Sequence, residues 1–282
     1  MNWKIAGIVV VAGLSLIGIG GGIYAAVKIF HMALEAPAQA QCSSKNADTS
    51  ISGCTAILSS GKADKGQQEF AHFQRATAYA RKGAFDSAIA DDTEVIRINP
   101  RQYMAWNQRG ALFEQKGELD PAIADFTQAI QLAPEMSAAR FNRSEAYSKK
   151  GDYAAAIDDL SAVVQREPKN SVAWNNRCYF RAIAGHLDAA LADCNQSLKL
   201  VPGVGNTLDS RGFTYLRMKK YSLAIADYDA AVSAGGKRAP WLYGRGLAKR
   251  ALHDEAGAKI DIEEAMKLDA KIAATFRSYG VS

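Results

Sequence analysis

The stretch Tyr103–Met136 reads YMAWNQRGALFEQKGELDPAIADFTQAIQLAPEM and decides the fold. Trp106, Gly110 and Phe113 recur at helical spacing and set one face of a first helix. Gly117 interrupts the pattern. Ala122, Phe126 and Ala129 mark the same kind of face on a second helix, with Pro121 in its first turn and Pro134 after its end. Two short amphipathic helices cannot bury their apolar faces alone, so such a unit needs neighbours.

Those neighbours are written along the chain. Arg75, Arg109, Arg143, Arg177, Arg211 and Arg245 stand 34 residues apart. Asp91, Asp125, Asp159, Asp193, Asp227 and Asp261 follow them 16 residues behind, and an alanine column from Ala88 to Ala258 keeps the same period. One supersecondary unit is copied in tandem, which makes the chain an array and not a single globular core.

Taken together, Trp106, Gly110, Phe113, Ala122, Phe126, Ala129 and Pro134 resemble the signature of the tetratricopeptide repeat, with Phe113 in place of a Tyr. The resemblance covers about residues 69–268 as six units. It implies an all-α fold, a right-handed α-solenoid of six helix hairpins, that binds protein or peptide partners and needs no cofactor. Several units depart from the signature: Arg140 replaces the Trp, Cys178 the first-helix Gly, and Lys219 and His253 the glycine between the helices. The arginine column occupies a position where the family usually has leucine.

The ends read differently. Residues 1–34 hold an uncharged run from Ile5 to Val27, about long enough to cross a ~30 Å hydrocarbon layer as a helix. It reads as an N-terminal transmembrane anchor, with a cleaved signal ending near Ala38-Gln39-Ala40 as the alternative. Lys4 and the amino terminus place its start in the cytoplasm. The expected location is therefore the inner membrane, single pass, with the array in the periplasm. Residues 35–68 read as a linker and an N-terminal capping helix over Thr49–Ser59, with Asp48 as its cap. Residues 269–282 read as a C-terminal capping helix. Stacked repeats need such covers because end units otherwise leave apolar surface in water.

Hairpin register pairs the cysteines. In an antiparallel hairpin, residues at one level have numbers with a nearly constant sum, as Gly110 with Phe126 and Phe113 with Ala122. Cys178 and Cys194 fall on the level of Gly110 and Phe126 two repeats on, where other units oppose a small and a large residue, except the first with Ala76 and Asp92. A Cys178–Cys194 disulfide is expected, the alternative being two buried thiols acting as small hydrophobes. Cys42 and Cys54 are expected to tie the N-terminal helix to the chain before it. The same register predicts that each arginine pairs with an aspartate of its own hairpin or of the adjacent one, as a structural ion pair.

Nothing in the chain points to chemistry. The four histidines are dispersed, no metal-ligand spacing or phosphate loop occurs, and the net charge of +5 is scattered, which disfavours an enzyme or a nucleic-acid binder. The resemblance implies a groove lined by first helices. Phe73, Asn107, Phe141, Asn175, Asp209 and Tyr243 project there as one column, with Tyr179 and Phe213 beside it. Rings supply contact area and asparagines can satisfy a peptide backbone. The function expected is a protein–protein interaction scaffold, membrane-anchored, holding a protein or peptide of an envelope complex. The alternative is a structural accessory or assembly subunit held by its anchor and convex face.

Overall fold

The computed structural model describes residues 38–281. The N-terminal anchor or signal expected over 1–34 lies outside the described residues, and among these no helix is long and apolar enough to cross a membrane. The described chain is helical throughout. After a short turn of helix over 38–42 come α1 (Ala47–Ser59), α2 (Lys65–Arg81), α3 (Phe85–Ile98), α4 (Tyr103–Gln115) and α5 (Leu119–Leu132). Next are α6 (Ser137–Lys150), α7 (Tyr153–Arg166), α8 (Ser171–Ala184), α9 (Leu187–Leu200) and α10 (Gly205–Arg217). The last are α11 (Tyr221–Gly235), α12 (Ala239–Ala251), α13 (Glu255–Leu268) and α14 (Ile272–Ser278). They form two compact units, one ending at Leu112 and one beginning at Phe113.

In the first unit, α2 packs against both α1 and α3. The capping residue of α1 is Asn46, whose side chain accepts from the Thr49 amide, and not Asp48. Asp48 instead pairs with Lys82 at the end of α2. A helix N-terminus needs an acceptor one residue outside the first turn, and Asp48 already lies inside it. Cys42 and Cys54 are bonded and fully buried, with Cα atoms 4.5 Å apart. Gly53 makes the approach possible: a Cβ there would lie 2.5 Å from the Cys42 nitrogen.

In the second unit each helix from α5 to α13 packs on the next, and α8, α10 and α12 also touch one another in sequence. The alanine column is the reason the layers fit. Ala122, Ala156, Ala190, Ala224 and Ala258 are essentially inaccessible, so neighbouring backbones approach closely. In the last two hairpins one level opposes a small and a large residue: a Cβ on Gly246 would sit 2.8 Å from Ile262, and one on Gly212 would sit 3.3 Å from the Tyr228 ring. At that level in the fourth repeat, Cys178 and Cys194 are bonded, with Cα atoms 5.4 Å apart. Closing a loop of this size contributes about 3 kcal/mol in the chain-entropy account.

Every hairpin turns in the same way. The amides of Ala84, Glu118, Asp152, His186, Lys220 and Asp254 each donate to the carbonyl five residues back. This is the six-to-one bond of a helix ending in a left-handed residue. Gly83, Gly117, Gly151 and Gly185 supply that conformation, but Lys219 (φ 59°) and His253 (φ 63°) hold it with a side chain. For an L-residue the left-handed region costs about 1–2 kcal/mol, partly offset by the greater entropy a glycine loses on folding. We therefore expect His253→Gly, and separately Lys219→Gly, to stabilise the protein by about 0.5–1 kcal/mol in urea denaturation. A loss of stability in both variants would show that the side chains contribute more than the backbone strain.

Candidate functional site

The arginine column ties the layers together. Within the second unit Arg143, Arg177, Arg211 and Arg245 each grip the aspartate 16 residues on with two parallel hydrogen bonds of 2.6–2.8 Å. In the first unit Arg75 does the same to Asp91. Arg109 and Asp125 belong to different units.

The remaining guanidinium nitrogen reaches backward. It donates to Thr93 from Arg109, Thr127 from Arg143, Ser161 from Arg177, Asn195 from Arg211 and Asp229 from Arg245, always 16 residues earlier. Each of these arginines therefore touches the preceding repeat, and the four of the second unit hold their own hairpin as well. Arg75 has no preceding repeat, and Thr55 of α1 takes the vacant role at 3.0 Å. This contact makes α1 the stand-in for a missing second helix.

Aromatic rings cover the guanidinium groups in alternation. Tyr79, Tyr147 and Tyr215 lie four residues after their arginines at 5.7–6.0 Å, whereas Trp106 and Trp174 lie three residues before theirs at 4.7–5.0 Å. Where one of these two places holds a nitrogen-bearing basic side chain, that side chain joins the aspartate: His72 on Asp91, Arg140 on Asp159, Arg181 on Asp193 and Lys249 on Asp261. Burial by itself would raise the Asp91 carboxyl, but the Arg75 and His72 hydrogen bonds outweigh it and hold it below the usual carboxylate range. Asp261 balances the same way, with Arg245 and Lys249 prevailing over burial. These arginines and aspartates are thus committed to the fold.

The columns expected to line a groove have two different fates in the second unit. Phe141 is half-buried and borders an open depression of about 400 Å³, together with Val163, Glu167, Asn170 and Val172. Asn175, one repeat on in the same column, donates to Asn176, yet its Oδ1 is buried with no hydrogen-bond donor among the described residues. Beside them, Glu145 accepts from Asn176, and burial, then the nearby Glu114, raises its pKa.

Tyr179, Phe213 and Tyr243 are covered by α14. Phe276 packs tilted on Tyr243 at 4.9 Å and meets Phe213 edge-on at 5.8 Å, while Tyr279 meets Phe213 and Tyr179 at 6.0 and 6.2 Å. Phe213 and Tyr243 are only 2% and 7% exposed. The C-terminal helix is thus more than a lid on the last hairpin, because its ring side chains reach back across three repeats. The sequence has no periodic signal for this, since α14 lies outside the repeat.

Asp209 belongs to neither half. Its carboxyl is enclosed near Tyr228 and the Trp241 indole, with Arg238 nearby. Trp241 itself lies where a Cβ on Gly205 or Gly235 would collide with its ring at 2.8 Å. In the first unit, Phe73 packs on Val95, Ile96 and Ala105 beneath Thr77, and Asn107 is half-buried.

Residues 103–136 and 141–204 match models of the tetratricopeptide repeat. These two stretches carry tetratricopeptide repeats. Solved structures of similar fold include a tetratricopeptide repeat protein from Parabacteroides merdae ATCC 43184, 18% identical, covering 83% of this chain and 92% of that one at a TM-score of 0.65. PilW, described as a widely conserved type IV pilus biogenesis factor, is 17% identical over 74% of this chain and 98% of its own, at a TM-score of 0.64. YrrB, described as having an unusual peptide-binding site, is 17% identical over 72% and 96%, at 0.57. At these identities the likeness is one of fold. No curated protein matches the chain in sequence. Proteins built from these repeats hold protein or peptide partners.

Asp209 offers a pH test of the groove. Burial pushes its carboxyl up to about 7, against the lowering effects of Trp241 and then Arg238. A raised acid is protonated in the folded state at pH values where the unfolded chain has lost the proton. Its contribution is present in mildly acidic solution and is lost as pH rises from about 4 through about 7. Asp209→Asn removes that loss while keeping the acceptor. The variant should gain roughly 1–3 kcal/mol over wild type at pH 8 and little at pH 4.5, read as melting temperatures across that range. An equal difference at both pH values would contradict the assignment.

Proposed function

We propose that the protein is a scaffold that holds a segment of a protein partner along the open half of its first-helix face in the second unit. The observation that carries this reading is Asn175, whose buried Oδ1 has no donor among the described residues, most of whose buried polar side chains are satisfied. An acceptor left this way costs about 1–3 kcal/mol unless a ligand supplies the donor. A peptide backbone N–H is such a donor. Phe141 and the depression beside it then take an apolar side chain of the same segment. Relatives in fold bear on the same reading, since YrrB is described as having a peptide-binding site.

We place the protein on the outer side of the inner membrane, held by the uncharged run from Ile5 to Val27, as part of an envelope complex or its assembly. Two buried disulfides support an oxidising compartment, because such bonds are rare in the reducing cytosol. PilW, a structure of similar fold, is described as a pilus biogenesis factor, which suits an assembly role. A role as an accessory subunit that uses its anchor and convex face is the competing reading.

Affinity purification from native membranes with cross-linking separates the two. In Phe141→Ala/Asn175→Ala, recovery of the cross-linked partner should fall at least about tenfold, the size expected when one buried polar and one apolar anchor are lost together. The melting temperature should fall modestly, because the half-buried Phe141 ring also packs on the Leu160 and Val163 core, with the double variant still folded. Undiminished recovery by the folded double variant would favour the accessory reading.

A further inference from the structure

The C-terminal helix sits where a ligand of the closed half of the groove would sit. It has seven residues, too few to persist as an isolated helix, so its order comes from what it touches. Ile272 and Phe276 are buried, while Arg277 and Ser278 on the other side face solvent. It departs from the stack: it packs on α12 and α13, yet Phe276 and, just past its end, Tyr279 meet side chains of α8, α10 and α12. The contact has a polar end, where the Tyr279 hydroxyl faces those of Tyr153 and Tyr179. Beyond it, a depression of about 290 Å³ between Leu216, Tyr221, Leu247 and Gly280 is left unfilled.

We propose that α14 is a displaceable occupant of this aromatic groove, and that the segment which replaces it is a short helix of a partner protein presenting a Phe and a Tyr three residues apart. The proposal rests on the reading of this face as a binding surface and adds its closed half, its recognition pattern and its control. Three observations favour exchange over a permanent core. The segment is only seven helical residues long, its contacts across three repeats are made by the rings of Phe276 and Tyr279, and the depression beside Gly280 gives an incoming chain a foothold. While α14 is seated, Tyr179, Phe213 and Tyr243 are hidden, so a partner binds only as often as the helix leaves.

The test uses the full chain and a fluorescent peptide of its own residues 269–282, DAKIAATFRSYGVS. Wild type should bind the peptide weakly. Phe276→Ala/Tyr279→Ala, which empties the groove, should bind it about 10–100-fold more tightly, the factor set by how rarely the seated helix leaves. The gain should vanish when Phe213→Ala is added, or when the peptide carries Ala at both ring positions. Equal affinity of wild type and the emptied variant, or binding that ignores Phe213, would overturn the proposal.

Should the emptied variant fail to fold, hydrogen exchange on wild type decides. Amides of α14 exchanging at least about a hundredfold faster than those of α12 and α13 would sustain exchange by local opening, and protection equal to theirs would overturn it. A wild-type chain that dimerises through Phe276 would assign the groove to a second copy instead, against the proposal. None of these outcomes involves the natural partner, so failure here leaves the Phe141 and Asn175 result standing, and the reverse also holds.

Discussion

The structure depends on a guanidinium group that makes three bonds in two directions. Two go forward to an aspartate of the same hairpin, and one goes back to a hydroxyl, amide or carboxylate of the hairpin before. A leucine in that place would fill space but fix no register. The forked geometry of arginine demands that both helices of its hairpin and one helix of the previous hairpin stand at matching heights. Buried ion pairs of this kind add little net stability over apolar packing, because desolvation offsets most of the attraction. What they supply is alignment, and the groove columns are aligned only because the layers are.

Once the layers are in step, equivalent residues share a face, and that face is then specialised along its length. Around Phe141 and Asn175 it is open and carries an acceptor without a donor. Around Phe213 and Tyr243 the same positions are rings covered by rings of α14. Between them Asp209 and Trp241 build a buried polar contact with glycines cleared around the indole. The repeat sets where side chains point, and the individual substitutions set what each segment can hold.

Much of this was legible in the sequence, and the limits have physical causes. Period and residue type exposed the helix pairs, the turns and the two cysteine levels, because a copied unit repeats its constraints at fixed numbers. The backward bond was missed, although its column is present: Thr93, Thr127, Ser161, Asn195 and Asp229 also recur every 34 residues. Their chemical identity varies while their role as acceptors does not, so a search for identical residues passes over them. The alternation of Tyr and Trp over the arginines has a period of two repeats and hides for a similar reason. Asn46 displaced Asp48 as the cap because helix ends shift by a residue or two without changing the pattern. The sequence marked α14 as a covering helix, but its reach back to Phe213 and Tyr179 had no signal, since a segment outside the repeat inherits no register from it.

The most direct test of the central claim is a double-mutant cycle on Arg211 and Asp227, the cleanest pair because among the described residues no second cation bridges to this aspartate. Denaturant unfolding of the wild type, Arg211→Ala, Asp227→Ala and the double variant gives the coupling energy between the two side chains. An alignment device of this kind predicts a coupling of about 2–3 kcal/mol, with each single variant losing nearly as much as the double. A coupling below about 0.5 kcal/mol, with additive losses, would mean that apolar packing alone keeps the layers in step.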